Sequence, residues 1–237
     1  MHITVFAIKD YLESECYEEG TLSTSTVRHA PFITISREVG AGGHLLGRLV
    51  VNQLNQDKKD PPWYLLDGEL FEHILNETDL EVALTSLNDE EFHSEMQELF
   101  YQLLSRRLPQ DVVYHKVFRI MRRLASRGRV IVLGRGGVCA TAGLTQGLHF
   151  RLVAPLAKRL ERLKAKLRVS DDEASKAILE RDDARTQLVR HYFDKDISDP
   201  HLFHAVWNTG KMPASDIAYS VVGMIADQGK IAVGSIQ

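Results

Sequence analysis

The chain has 237 residues, a net charge of −3 and an apolar fraction of 44%, which is enough for one large domain with its own core. A nearly neutral chain lacks the concentrated positive charge of DNA- or RNA-binding surfaces, so no nucleic-acid polymer is expected as a partner. The two cysteines have neither zinc nor redox spacing, which predicts a reduced protein. No apolar run approaches about 20 residues and no basic leader is present, so a cytoplasmic protein without a membrane partner is expected.

Residues 1–31 differ from the rest and are predicted to be an N-terminal extension of a main domain over 32–237. They contain one short strand candidate, Ile3 to Ile8, and a polar linker over 21–26. From residue 32 onward, short apolar segments alternate with helical patterns. Strands are predicted at 32–36, 64–67, 130–134, 148–153 and 205–209. This alternation predicts an α/β fold with three layers and a doubly wound parallel sheet, whose ligands bind at the carboxyl ends of the strands.

Helices are predicted between these strands from apolar residues that recur at helical spacing. Three such stretches cover 92–104, 117–124 and 156–167. In the last of them, Pro155 can start the helix and four leucines share one face. Ser170 and Glu173 form a capping box that opens a further helix over 171–187. A final helix is predicted from about 214 to 228.

A glycine-rich turn follows the first predicted strand and leads directly into a helix. Its residues Gly40, Ala41, Gly42 and Gly43 let backbone N–H groups converge, and the helix beginning near His44 adds the positive end of its dipole. Such a turn is typical of a phosphate site. Gly43 stands where a P-loop lysine is expected, and His44 stands where a serine or threonine would be. A turn that needs glycine only for its backbone geometry is the alternative.

Polar residues also follow two other predicted strands. Arg135 lies within the second glycine turn, at 134–137, where a guanidinium can hold a phosphate bidentately. A plain surface arginine is the alternative. Asp67 ends the strand at 64–67 and can cap a helix beginning near residue 69, contact a substrate, or do both.

Two arginines lie one turn apart on the predicted helix over 171–187. Arg181 and Arg185 share one face and repel each other unless an anion lies between them. Phosphoryl transfer needs such groups, because the charge on the transferring oxygens must be neutralised. A solvated helix with local Asp–Arg pairs is the alternative.

Taken together, these motifs resemble the cytidylate kinase-like family, a branch of the P-loop nucleoside monophosphate kinases, over roughly residues 32–228. The resemblance rests on Ile35-Ser36-Arg37-Glu38 with the glycine turn and Gly47-Arg48, on Tyr64 to Asp67 with Glu69-Leu70, on Val132 to Gly137, on Arg151 to Pro155 with Arg159, on Asp182 with Arg185, and on His191 to Phe193, Asp199-Pro200 and Asn208-Thr209. It implies a five-stranded parallel sheet, a helical NMP-binding insertion at about 68–112 and a small lid at about 181–199.

The resemblance also implies a reaction. ATP with Mg²⁺ would be the donor, and a pyrimidine monophosphate such as CMP or dCMP the acceptor. Arg135 matches an arginine that contacts the acceptor nucleotide in cytidylate kinases. Arg181 and Arg185 look like the lid arginines that clamp the transferring phosphoryl group.

The chain departs from this family at its glycine turn. The lysine is absent, as it commonly is in this branch, but His44 and Leu45 replace the usual arginine and acidic residue, and Gly136 replaces an aspartate in the second turn. No serine or threonine follows the glycines to hold Mg²⁺, and no metal-binding side chains are predicted. Arg37 or Arg48 is expected to supply the missing positive charge.

The sequence thus leads to two hypotheses. The first is a kinase whose catalytic residues are Arg37, Arg181 and Arg185 and whose phosphate- or nucleotide-binding residues are Gly40, Ala41, Gly42, Gly43, His44, Asp67 and Arg135. The second is a catalytically weak or inactive pseudo-kinase that binds a nucleotide or phosphate and has a regulatory role.

Overall fold

The computed structural model describes residues 30–56, 61–67 and 110–234. Three predicted features lie outside the described residues: the N-terminal extension up to residue 29, residues 68–109 of the insertion predicted at about 68–112, with the helical stretch at 92–104, and the helix that Asp67 was expected to cap. They stay predictions.

The elements alternate between strands and helices along the described chain. In order they are β1 (Phe32–Arg37), α1 (Gly43–Leu54), β2 (Tyr64–Leu66), α2 (Gln110–Arg127), β3 (Val130–Leu133), α3 (Gly137–Ala140), β4 (Gly147–Val153), α4 (Leu156–Leu167), α5 (Asp171–Phe193), a 3₁₀ turn (Pro200–Leu202), β5 (Ala205–Asn208) and α6 (Ala214–Gly234).

Five parallel strands form one sheet in the order β2-β3-β1-β4-β5, which confirms the predicted fold class. Each predicted strand boundary is correct to within one residue. The strand at 130–134, for example, ends at Leu133, because Gly134 has a φ of +80° and leaves the extended conformation. The central strand β1 lies between β3 and β4, so the loops that follow these three strands open at the same edge of the sheet.

Apolar side chains cover both faces of this sheet. On one face the core joins Phe32 of β1 to α2 through the residues predicted from helical spacing, Val117, Ile120, Met121 and Leu124. On the other face Ile33 and Ile35 pack with α1 and α6. Strands buried on both faces need continuous apolar runs, and this explains why their sequences do not alternate with polar residues.

Helix α5 begins at the predicted capping box, in which Ser170 accepts a hydrogen bond from the Glu173 amide and Glu173 bonds back to Ser170. The helix runs to Phe193, six residues beyond the predicted end, and stops where Asp194 adopts a φ of +50°. Leu188 and Phe193 pack against α2 and the residues around it, which extends the helix beyond its local signals. Residues 181–193 of the predicted lid range are therefore the C-terminal half of a continuous helix.

The leucine face of α4 is only partly covered. Leu163 is buried against α5, whereas Leu156 and Leu167 are 52% and 39% exposed. Within the described parts of the chain, no helix is both long and apolar enough to cross a bilayer.

Candidate phosphate site at the carboxyl edge of the sheet

The first glycine turn has the geometry of an anion-binding loop. Gly40 and Gly42 have φ values of +77° and +85°, which side chains rarely allow. Gly42 is the N-cap of α1 and has no side chain to bond the first helical amides. These N–H groups have no partners within the helix, so they can bind a ligand at the positive end of the helix dipole.

Every carbonyl oxygen from Arg37 to Ala41 accepts a hydrogen bond from the protein. The donors, in chain order of the carbonyls, are Arg185 Nη1 at 3.0 Å, the Ala41 amide at 3.2 Å, Arg159 Nη1 at 3.4 Å, Arg162 Nη1 at 3.3 Å and Thr209 Oγ1 at 3.0 Å. Carbonyl oxygens repel phosphate, and here they face α4, α5 and the end of β5. The turn is therefore held in a fixed conformation by side chains from three elements.

The side chain of Arg37 links the two glycine turns. A Cβ atom on Gly43 would lie 3.0 Å from Cγ of Arg37, and a Cβ atom on Gly134 would overlap its Nη1. Both glycines are thus needed to leave room for this arginine. The other candidate for the missing charge, Arg48, is exposed on α1, so Arg37 is the arginine that lies between the turns.

Positive charge accumulates around Arg37. Its pKa is lowered to about 9, chiefly by burial and then by Arg185 and Arg135, while Asp67 and Asp182 act in the opposite direction. Burial also lowers the pKa of Arg185. The three guanidinium groups are close enough to repel one another, and an anion bound among them would relieve that repulsion.

Arg135 lies in the second glycine turn with a φ of +53°, an uncommon conformation for a residue with a side chain. Its Nη1 lies 3.4 Å from the hydroxyl of Tyr114 on α2. The next residue, Gly136, has room for no Cβ without close contacts to Phe193 and Leu188 of α5. This turn is therefore held by packing between α2 and α5, and a strained conformation at such a place is often linked to function.

His44 and Asp67 lie together beside the first glycine turn. His44 Nδ1 is 3.4 Å from Asp67 Oδ2, and the side chains are 41% and 21% exposed. His44 thus faces a carboxylate at the end of β2. A histidine is a weaker phosphate ligand than the arginine that the resemblance implies at this position.

The two predicted arginines of α5 have different environments. Arg185 is partly buried and contacts the first glycine turn. Arg181, one turn earlier, is exposed, yet it is close enough to lower the pKa of Arg185. The structure therefore brings Arg37, Arg135 and Arg185 together, with Arg181 at the edge of this group.

Arg162 and Thr209 hold the glycine turn, a role that the sequence does not predict for either residue. Arg162 donates to Thr209 Oγ1 at 2.9 Å and to the Thr209 carbonyl at 2.8 Å, besides its bond to Gly40. Arg162 is one of many basic residues on α4, so nothing in the local sequence separates it from its solvated neighbours.

Solved structures with a similar fold include an uncharacterized protein from Eubacterium ventriosum, with a TM-score of 0.59, 16% identity and coverage of 83% of this chain and 98% of that chain. At this identity the likeness is evidence for the fold alone. A gluconokinase from Sinorhizobium meliloti aligns with a TM-score of 0.46 and 14% identity over 89% of this chain and 100% of that chain. A shikimate kinase from Acinetobacter baumannii, in complex with shikimate, aligns with a TM-score of 0.40 and 18% identity over 84% and 94%.

A search of curated proteins gives no match. Residues 32–211, which are most of the chain and include both glycine turns and α5, match the cytidylate kinase-like family. The resemblance predicted from the motifs is confirmed, and the chain belongs to the cytidylate kinase-like family.

Proposed function

We propose that the protein transfers the γ-phosphoryl group of ATP to a nucleoside monophosphate, with a pyrimidine nucleotide such as CMP or dCMP as acceptor. The observation that carries the proposal is Arg37, which lies against both glycine turns and is surrounded by other arginines. One cation between two anion-binding turns suits a reaction in which a phosphoryl group passes from one bound phosphate to another.

The donor phosphates would bind at the first glycine turn. The amides of Gly42 and Gly43 at the start of α1 supply hydrogen bonds, while the carbonyl oxygens of the turn already accept bonds on its other side. Because these donors are fixed before the ligand arrives, little free energy is spent on ordering them during binding.

The acceptor phosphate would bind Arg135 in the second glycine turn. Its guanidinium can make two parallel hydrogen bonds to phosphate oxygens. Arg37 reaches Gly134 just before it, so donor and acceptor phosphates would share one positive group. This arrangement holds the reacting groups close together, which is a large part of catalysis in phosphoryl transfer.

Arg181 and Arg185 would neutralise the charge on the oxygens of the phosphoryl group in flight. The reaction needs no covalent intermediate and no strong base, because a phosphate oxygen of the acceptor is already a nucleophile. The guanidinium of Arg185 is suited to this task, since it lies close to Arg37 and Arg135.

The donor would carry Mg²⁺, which neutralises charge on the donor phosphates when bound. The described residues hold no cluster of three or more His, Cys, Asp or Glu side chains. Mg²⁺ often binds through one or two carboxylates, phosphate oxygens and water, and Asp67 at the carboxyl end of β2 fits as such a carboxylate. Its carboxylate also opposes the lowering of the Arg37 pKa.

Purified protein, Mg²⁺ and ATP should release ADP when one of CMP, dCMP, UMP, AMP or GMP is added. We expect the highest kcat/KM with CMP or dCMP. Release that is equal with and without every monophosphate would contradict the proposal, and Arg185→Met should abolish most of any acceptor-dependent signal.

The pseudo-kinase alternative is favoured by His44, which stands where the resemblance expects an arginine and contacts Asp67, because a histidine is a weaker phosphate ligand than an arginine. In that case calorimetry would detect ATP binding without turnover. His44→Arg restores the usual charge, so it should raise ADP release in a weakened kinase and leave a binding protein inactive.

A further inference from the structure

Asp182 of α5 connects the first glycine turn to two arginines. Its Oδ1 accepts a hydrogen bond from the Val39 amide at 2.8 Å and lies 3.3 Å from Arg185 Nη1. Its Oδ2 accepts a hydrogen bond from Arg159 Nη1. The carboxylate is 27% exposed and Arg159 is 13% exposed, so these contacts are largely shielded from water.

The partners of Asp182 themselves bind the turn. Arg159 donates to the Val39 carbonyl at 3.4 Å, and Arg185 donates to the Arg37 carbonyl at 3.0 Å. Asp182 therefore holds the turn in two ways. It accepts a hydrogen bond from the Val39 amide directly, and it binds the two arginines that donate to carbonyl oxygens of the turn. Glu38 adds to these contacts, with Oε2 3.6 Å from Arg159 Nε and 3.0 Å from the Ala154 amide that donates to it.

We infer that Asp182 is a positioning residue that holds the glycine turn and Arg185 in their phosphate-binding arrangement before a nucleotide binds. The physical reason is electrostatic. Arg185 lies close to Arg37 and Arg135, which repel it, and the Asp182 carboxylate offsets this repulsion. Hydrogen bonds to a charged group are stronger than neutral ones, so this carboxylate can keep α5 against the turn without any bound phosphate.

A consequence is that Arg185 need not be delivered by a moving lid. The inference rests on the proposed function for the identity of the ligand, but it concerns phosphate binding alone. It can therefore be tested with inorganic tripolyphosphate, which needs neither an acceptor nor turnover.

The neighbouring Asp183 provides a matched control on the same helix. It is exposed, and its carboxylate lies 3.5 Å from Gln187 Nε2. The variants are Asp182→Ala, Asp182→Asn, Asp183→Ala and Asp183→Asn. Asparagine at 182 keeps an oxygen that can accept from the Val39 amide but loses the charge that attracts both arginines.

Calorimetry should give tripolyphosphate affinities that fall about tenfold or more for Asp182→Ala and less for Asp182→Asn, in line with the loss of a charged hydrogen bond. The Asp183 variants should stay within about twofold of wild type by the same reasoning for exposed groups. Hydrogen exchange of the ligand-free protein should show faster exchange of the Val39 amide in Asp182→Ala only.

Three results would overturn the inference. These are equal affinities for the Asp182 and Asp183 variants, a lower melting temperature for Asp182→Ala with unchanged affinity, or a wild-type protein that does not bind tripolyphosphate. If the Asp182 variants lose tripolyphosphate affinity but the wild-type protein shows no kinase turnover, the inference is supported and only the proposed kinase activity is contradicted.

Discussion

The two ends of the parallel sheet use polar residues in opposite ways. At the carboxyl end, Arg37, Arg135 and Arg185 lie close enough to repel one another. Toward the amino end, His149 of β4 lies with Nδ1 2.8 Å from the Thr34 hydroxyl, and its amide donates to His204 Nδ1 at 3.0 Å. Burial and then His204 lower the pKa of His149 to about 4, so His149 is neutral at pH 7.

This comparison indicates that polar residues at the carboxyl end of the sheet serve ligand binding, whereas those toward the amino end serve stability. Neutral, mutually bonded groups stabilise the fold without needing a ligand. Like charges held together destabilise it until an anion arrives, and groups with strongly shifted pKa values concentrate at functional sites. Substitutions at the carboxyl end should therefore change ligand binding first, and those toward the amino end should change stability first.

The largest effect is expected for Arg37→Met. Loss of a buried cation between the two glycine turns should lower ATP or tripolyphosphate affinity, or kcat/KM, by about a hundredfold or more, because several charged hydrogen bonds disappear. Relief of repulsion should leave the melting temperature unchanged or higher. Arg48→Met, on the exposed face of α1, serves as control, and a similar loss for both variants would contradict the role of Arg37.

Gly134→Ala should have the next largest effect. Its methyl group would overlap Nη1 of Arg37, whereas Gly143, with a similar φ of +83°, has no atom within 4 Å of the corresponding position. Both variants carry the same backbone strain, about 1 kcal/mol. Only Gly134→Ala should also weaken tripolyphosphate binding, by about tenfold or more on the scale of a displaced charged group. Equal binding by the two alanine variants would mean that Arg37 can move without consequence.

The smallest effect concerns acid stability. Because the pKa of His149 is about 4 in the fold and about 6.5 when unfolded, its neutral form stabilises the protein in full above pH 6.5. That contribution is lost as the pH falls from about 6.5 to about 4. Urea unfolding should show a loss of about 1–2 kcal/mol, after allowance for partial solvent exposure.

His149→Asn removes this titration and should flatten the dependence over the same pH range, while tripolyphosphate affinity at pH 7 stays close to wild type. A wild-type protein that is equally stable at pH 7 and pH 4.5 would rule out His149 as a source of acid sensitivity.

The sequence predicts the sheet well and the site only in outline. Strands such as Phe32–Arg37 are short apolar runs that lead into a glycine-rich turn, so their positions follow from local pattern. The glycine turn and the position of Arg135 can be predicted from the sequence for the same reason. The roles of Arg162 and Thr209 cannot, because these residues are far apart in sequence and meet only once α4 and β5 are folded.

The choice between Arg37 and Arg48 shows the same limit. Both arginines flank the glycine turn, and only the packing of Gly43 and Gly134 around one side chain distinguishes them. Likewise, His44 reads as a phosphate ligand from its position in the turn, whereas its contact with Asp67 depends on where β2 ends.

Helix α5 contacts both glycine turns. Asp182 contacts the first turn and Phe193 lies against Gly136 in the second, and along a straight helix these residues are ~16 Å apart. A one-residue insertion between them would rotate Phe193 by about 100° around the helix axis. Insertions and deletions within 183–192 should therefore be tolerated far less than substitutions on the exposed side of this helix.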